Sequence, residues 1–386
     1  MGTQSRVCLV LCIIWSSCLC GGSVADPNQT RPDSRAEFAF ARGQWPLVVP
    51  VRFGPRTYDF ILDTGCTGTI FDVAFQPELG QAKRPLKAAT AGKPIVMQVF
   101  AAPHAFIGPF DLAECNEVVC TNFKALAPNL GREVHGVLGM DFLKKHVIQI
   151  DFDEGRMAFL DDQAHDRRVW GQEFLITYNR MKAPQMKVSV EGQPERDFVL
   201  DTGSDTSGAM ATDSFRLAVA QGGLKPVDTS MNTVTGVVKS RQVRTGRVTL
   251  GQFEYRGLIF TEGNSDRLGL GLLSRHVVTF DFSHDRLYLK KGKNFDKRDE
   301  AGMCGVSLTR PEGRTVVSAV YKGEPAAKAG IKVADVLLKL QGRDASTYQM
   351  WEIRDLLRSG PGKEITVTIQ RGDEIKDVVV VLERQL

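Results

Sequence analysis

The sequence predicts a mainly β protein made of two pseudo-symmetric lobes followed by a smaller α+β domain. Three observations carry this expectation: a short motif that occurs twice, flanking segments that repeat with it, and a change of pattern after residue 301. The first copy of the motif reads Phe60-Ile61-Leu62-Asp63-Thr64-Gly65-Cys66, the second Phe198-Val199-Leu200-Asp201-Thr202-Gly203-Ser204. Each is an apolar, strand-like tripeptide running into a carboxylate, a hydroxyl and a glycine. A carboxylate placed straight after three apolar residues is costly unless it is hydrogen-bonded or functional. Glycine next to it permits a tight turn and close approach of another backbone.

The repeat extends well beyond the motif. Asp63 and Asp201 lie 138 residues apart, and each is followed by a Leu-Gly element, at Gly139 and at Gly271. His146-Val147-Ile148-Gln149-Ile150-Asp151-Phe152 is matched almost position for position by His276-Val277-Val278-Thr279-Phe280-Asp281-Phe282. An internal repeat of this length implies two similar units. The two histidines read as shared strand entries rather than as a catalytic pair.

Along the chain, short apolar runs bounded by Gly and Pro read as strands. Leu47–Phe53 and Tyr58–Leu62 bracket a Gly54-Pro55 turn, and Ile95–Phe100 forms the outgoing arm of a hairpin beyond Ala91-Gly92-Lys93-Pro94. In the second half Met186–Val190, Phe198–Leu200, a hairpin tip at Thr233–Val238, Val248–Leu250 and Leu258–Phe260 repeat the plan. The expected divisions are a leader over 1–25, a linker over 26–37, lobes over 38–165 and 166–295, a charged linker over 296–301, and the last domain over 302–386.

The composition is that of a globular protein, 42% hydrophobic and 24% charged, with a formal net charge of +4. No Lys/Arg block suggests a nucleic-acid surface, and the six scattered histidines show no metal-site spacing. No cofactor is expected. Arg6, the apolar run from Val7 and the Ser23-Val24-Ala25 end fit an export signal cleaved after Ala25. The expected location is therefore periplasmic or secreted, with a membrane anchor only if Cys18 or Cys20 is lipidated. Of the cysteines beyond the leader, Cys115 and Cys120 are either a local disulfide or two free thiols.

Two carboxylates brought together across a lobe junction cannot both ionise easily, so they share one proton. The ionised member then takes a proton from a water attacking a peptide carbonyl, while its protonated partner polarises that carbonyl. Over about residues 40–295 the sequence resembles the retropepsin-like aspartic peptidases, as two acid-protease-like lobes fused in one chain. The resemblance rests on the two Asp-Thr-Gly motifs and on Val137-Leu138-Gly139 and Gly269-Leu270-Gly271. It implies Asp63 and Asp201 as the catalytic pair and polypeptides as substrates. It also implies that Thr64, Gly65, Thr202, Gly203 and Ser204 support the active-site loops, with Thr64 and Thr202 bonded across the pseudo-twofold axis. The tips near Ala91-Gly92-Lys93 and Thr235-Gly236-Val237 look like flaps over a bound peptide.

One departure breaks the symmetry. Cys66 follows the first motif where Ser204 follows the second, and a thiol is a weaker donor than a hydroxyl. Asp201 is therefore expected to ionise more readily than Asp63.

Residues 302–386 resemble a PDZ domain of the kind attached to exported bacterial proteases. Cys304-Gly305-Val306-Ser307-Leu308 stands as the carboxylate-binding loop, with Pro325–Gly330 and Val333–Leu337 as further signatures. The resemblance implies that Gly305, Val306, Ser307 and Leu308 bind a C-terminal peptide, recruiting substrate or regulating access. The competing reading is a catalytically silent protein that keeps the protease fold for peptide binding. Ser or Cys acyl transfer with His has no recognisable motif.

Overall fold

Two sheets of one strand order form the centres of the two lobes. The computed structural model describes residues 34–386 apart from 42, 44, 91, 125, 162–165, 234 and 235, together with 7, 8, 12 and 13. The expected cleavage point after Ala25 and the lipidation position near Cys18 lie outside the described residues. So do Ala91 and Thr235 of the two expected flap tips.

In the first lobe Arg84–Ala89, Ile95–Ala101, Glu117–Thr121, Ile70–Asp72, Gly136–Leu138, Arg56–Leu62 and Val48–Phe53 lie side by side in that order. The second lobe sets Val227–Thr233, Gly236–Arg244, Ile259–Gly263, Gly208–Ala211, Arg267–Leu268, Arg196–Leu200 and Pro184–Val190 in the same order. One row lies on the other strand for strand. Alternation of buried and exposed side chains along Pro184–Val190 shows why these segments form half-buried strands.

The register corrects one expectation. Gly136–Leu138 pairs in parallel with Phe60–Leu62, and Arg267-Leu268 pairs in parallel with Val199-Leu200. Short helices then start directly after Gly139 and Gly269. The partner of Val137-Leu138-Gly139 is therefore Arg267-Leu268-Gly269, not Gly269-Leu270-Gly271. The second lobe carries Leu-Gly twice in succession, and backbone pairing selects the earlier copy.

A six-stranded sheet joins the lobes. Val147–Asp151 pairs antiparallel with His276–Asp281, placing Gln149 opposite Thr279, and the Gln149 amide donates to Thr279 Oγ1 at 2.9 Å. The two matched segments thus meet each other at the pseudo-twofold axis. Ser34–Ala39 closes one end of this sheet against Arg156–Leu160, with Phe38 edge-on to Phe159. Residues 34–37, expected as linker, are strand because this pairing satisfies their backbone groups. Residues 296–301 are likewise fastened rather than free, since Asp299 accepts from Ile259 N and pairs with buried Arg275.

One hydrophobic cluster runs through both lobes. A separate cluster serves the last domain, whose sheet packs on the helix Met350–Leu356. That helix begins with a capping box between Gln349 and Glu352, and it buries Met350 and Ile353.

Candidate active site

Each Asp-Thr-Gly turn begins where a strand ends, and the neighbouring strand holds it. Asp63 N donates to Leu138 O at 3.1 Å, and Asp201 N donates to Leu268 O at 2.9 Å. The following helices are tied back in the same way, Met140 N to Cys66 O at 2.8 Å and Leu270 N to Ser204 O at 2.7 Å.

The two turns meet through a reciprocal clasp. Thr64 N donates to Thr202 Oγ1 and Thr202 N to Thr64 Oγ1, both at 3.0 Å. The Thr64 hydroxyl donates to Leu200 O at 2.7 Å, and the Thr202 hydroxyl to Leu62 O at 2.9 Å. All four bonds are buried. A methyl group added at Gly65 would stand 2.6 Å from Asp201 Cγ, and one at Gly203 2.3 Å from Asp63 Cγ. Each carboxylate therefore lies against the opposite lobe's glycine, and both glycines are required by that approach.

Asp63 and Asp201 are each 0% exposed, so neither carboxylate is stabilised by bulk water. Asp63 Oδ1 accepts from Gly65 N at 2.8 Å and Cys66 N at 3.1 Å. Burial, with Asp201 as a negative neighbour, pushes the Asp63 carboxyl well above the ordinary range. Burial raises Asp201 too, but the Arg267 guanidinium and a hydrogen bond from Asp63 oppose that rise. Of the two, Asp63 is pushed further toward its protonated form, and Asp201 is the one whose ionised form a neighbouring cation favours.

The direction agrees with the sequence argument, but its cause differs. Ser204 Oγ sits 3.0 Å from Thr206 Oγ1, and Cys66 Sγ donates to Gly68 O at 3.0 Å. The asymmetry comes instead from Arg267, whose Nη1 donates to Asp201 Oδ2 at 3.2 Å. Arg267 Nη2 also bonds Asn264 Oδ1 and Ser265 Oγ, and Asn264 Nδ2 donates to Thr90 O at the end of the first-lobe hairpin. Sequence reasoning missed Arg267 because the shifted Leu-Gly alignment concealed that it occupies the place Val137 holds in the first lobe.

The remaining candidates fall elsewhere. Gly305 has φ of +74°, and a methyl group there would meet Glu324 Cβ at 2.2 Å, so the loop needs glycine. Val306, Ser307 and Leu308 form the strand that follows, with Leu308 buried. Burial pushes His146 and His276 down to about 4, leaving both neutral near pH 7.

Of the two expectations for Cys115 and Cys120, the local disulfide is absent and both are free thiols. The strand Glu117–Thr121 extends the chain between them. At about 3.3 Å per residue, four extended residues exceed the Cα separation of about 7 Å that a disulfide spans.

This fold and this paired site define the class: a two-lobed, mainly β protein with a carboxylate dyad at the junction, followed by an α+β domain. Comparison with known proteins gives the families. Residues 49–142 match the aspartyl protease family model, and residues 316–371 match the PDZ domain model. The chain carries an aspartyl protease region and a C-terminal PDZ domain.

It is also similar to curated relatives described as probable CtpA-like serine proteases. The one from Staphylococcus aureus (strain MRSA252) is 25% identical over 154 residues, covering 39% of this chain and 31% of the relative. Its counterpart in strain MSSA476 is 32% identical over the same shares. The chain thus spans about a third of the length of these relatives. Among solved structures, the photosystem II D1 C-terminal processing protease matches at 21% identity with a TM-score of 0.21. That match covers 22% of this chain and 25% of the other.

Proposed function

We propose that the protein is an exported aspartic endopeptidase that cleaves polypeptides with the Asp63/Asp201 dyad. The observation that carries the reading is the reciprocal Thr64/Thr202 clasp, which sets both carboxylates at the lobe junction. Ionised Asp201 takes a proton from a water as its oxygen bonds to the peptide carbonyl carbon. Asp63 passes its proton to the carbonyl oxygen. When the tetrahedral species collapses, one of its hydroxyls returns its proton to Asp63 as C=O re-forms, the C–N bond breaks, and the amine leaves with the proton held on Asp201. No covalent enzyme intermediate is needed. Export rests on the N-terminal apolar run with its Ala25 end. The serine chemistry in the relatives' names is not transferred, because the match covers only about a third of their length.

The second reading, peptide binding without turnover, is favoured by one observation. The dyad has no exposure, and Arg267 holds Asp201. Cleavage of a denatured protein substrate from acidic to neutral pH, with Asp63→Asn and Asp201→Asn as controls, separates the two. Cleavage abolished by both substitutions establishes the peptidase; none across that range rejects it.

A further inference from the structure

The strand Val306–Thr309 lies at the edge of the PDZ sheet, pairing only with Val316–Val320. Its other edge and the helix Met350–Leu356 are turned toward the protease lobes. Arg310 N, just past this strand, donates to Pro128 O of the first lobe at 2.5 Å. Arg354 Nη2, on the helix, donates to Asn129 O at 2.9 Å, and Gly131 lies against Met350. At the other end of the strand Ser307 Oγ is 3.0 Å from Ser230 Oγ of the second lobe. Tyr321 OH also donates to Ser230 Oγ at 2.8 Å. Arg310 N and the Ser307 hydroxyl, flanking the edge along which a peptide strand would add, are thus engaged by this chain's own lobes.

Two features tie this docking to the dyad. Arg354 is buried, which opposes its charge, and the Asp205 carboxylate is the chief group sustaining that charge. Asp205 is itself buried and lies four residues beyond Asp201. In addition, a cavity of about 100 Å³ is walled by Gly305, Ser307 and Tyr321 of the PDZ domain, Ser230, and Thr206 and Ser207 of the Asp201 turn. The Gly305–Leu308 loop is thus enclosed between this cavity and the contacts that Arg310 and Arg354 make with Pro128 and Asn129.

We propose that a peptide with a free C-terminal carboxylate enters the Gly305–Leu308 loop only by displacing the PDZ domain from the lobes, a docking that Arg354 fastens at Asn129 and that walls the cavity against Thr206 and Ser207 of the Asp201 turn. Such a peptide loosens that turn and lowers activity. Coupling of this kind is reciprocal, so whatever orders the 201–207 turn weakens peptide binding at the loop. Peptide hydrolysis creates new C-terminal carboxylates, so the proposed reaction supplies its own antagonist. That last consequence rests on the peptidase reading, whereas the displacement itself does not.

The test reads hydrogen exchange on the intact chain rather than turnover, so failure here is distinct from absence of cleavage. The probe is a pool of hexapeptides with randomised sequences and free C-termini; the same pool as C-terminal amides is the control. The free-acid pool is expected to speed exchange at 127–131 and 201–207 by at least about fivefold, the low end of ordinary coupling. The amide pool leaves both unchanged. Arg354→Ala is expected to speed 201–207 without peptide while leaving Glu364–Arg371, remote from the junction, as in the native chain. If that strand also loosens, Arg354→Gln takes its place. A free-acid pool without effect, or a folded Arg354 variant with native exchange at 201–207, overturns the proposal.

Discussion

Arg267 stands in the second lobe where Val137 stands in the first, and its guanidinium reaches the Asp201 carboxylate at 3.2 Å. Two turns of the same backbone design thus hold their carboxylates in unequal fields. A cation beside a carboxylate lowers its pKa by about 1–3 units, opposing the rise caused by burial. Replacing Arg267 by Val restores the first lobe's chemistry. The acidic limb of the kcat/KM profile is expected to move upward by roughly 1–3 pH units. Carboxyl-carbon NMR of Asp201 checks the same shift without relying on turnover, and an unmoved Asp201 titration rejects the assignment.

Asp63 makes stability depend on pH. Its folded pKa is raised above the unfolded value, so between the two the folded state binds more protons. Stability is fully present below the unfolded pKa, near 4, and falls as pH rises toward the folded value. Asp63→Asn removes the titrating group. The variant is expected to gain on the native protein with rising pH, by up to about 1.4 kcal/mol per pH unit across that window. Urea midpoints at pH 4 and pH 7 measure it; a constant difference contradicts it.

The clasp predicts a substitution pattern rather than a single loss. Thr64→Ala leaves Leu200 O and Thr202 N without their partners, both buried. A cost of about 2–3 kcal/mol is expected, since each stranded group forfeits a hydrogen bond in a dry site. Thr202→Ala should cost about the same. Thr64→Ser keeps the hydroxyl and loses only a methyl, so its denaturation midpoint should lie much nearer the native value. Equal losses for Ala and Ser would assign the role to packing instead.

The thiols should be inert while the fold is intact. Burial pushes Cys115, Cys120 and Cys304 up to about 12, and Cys66 well above its ordinary value. The thiolate is the nucleophile, so little of it exists at pH 8. Peptide mapping after iodoacetamide is expected to find these four unmodified in the native protein and modified in urea. Rapid native labelling of Cys66 would reveal an opening of the dyad.

Much of this architecture was legible because the chain states its plan twice. The Asp-Thr-Gly motifs and the segments beginning at His146 and His276 marked equivalent positions, and the structure pairs the latter two segments directly. What escaped were features with no local signature. Arg267 looked like one more charged residue until backbone register gave it the place of Val137. Residues 34–37 read as linker because their polar sequence hides the sheet edge that they complete. The five-residue spacing of Cys115 and Cys120 could not disclose that an extended strand separates them. Likewise, Arg354 becomes notable only once tertiary packing carries it to Asn129.

The pairing of Val147–Asp151 with His276–Asp281 has a consequence for any attempt to divide the molecule. Cutting between the lobes would divide the hydrophobic cluster they share and expose, on each half, a row of unsatisfied N–H and C=O groups along one strand. The row on the first half is antiparallel in character and nearly self-complementary about Gln149. A severed first half would therefore recruit a second copy of itself, and the joined chain is what keeps the edge occupied by an unlike partner.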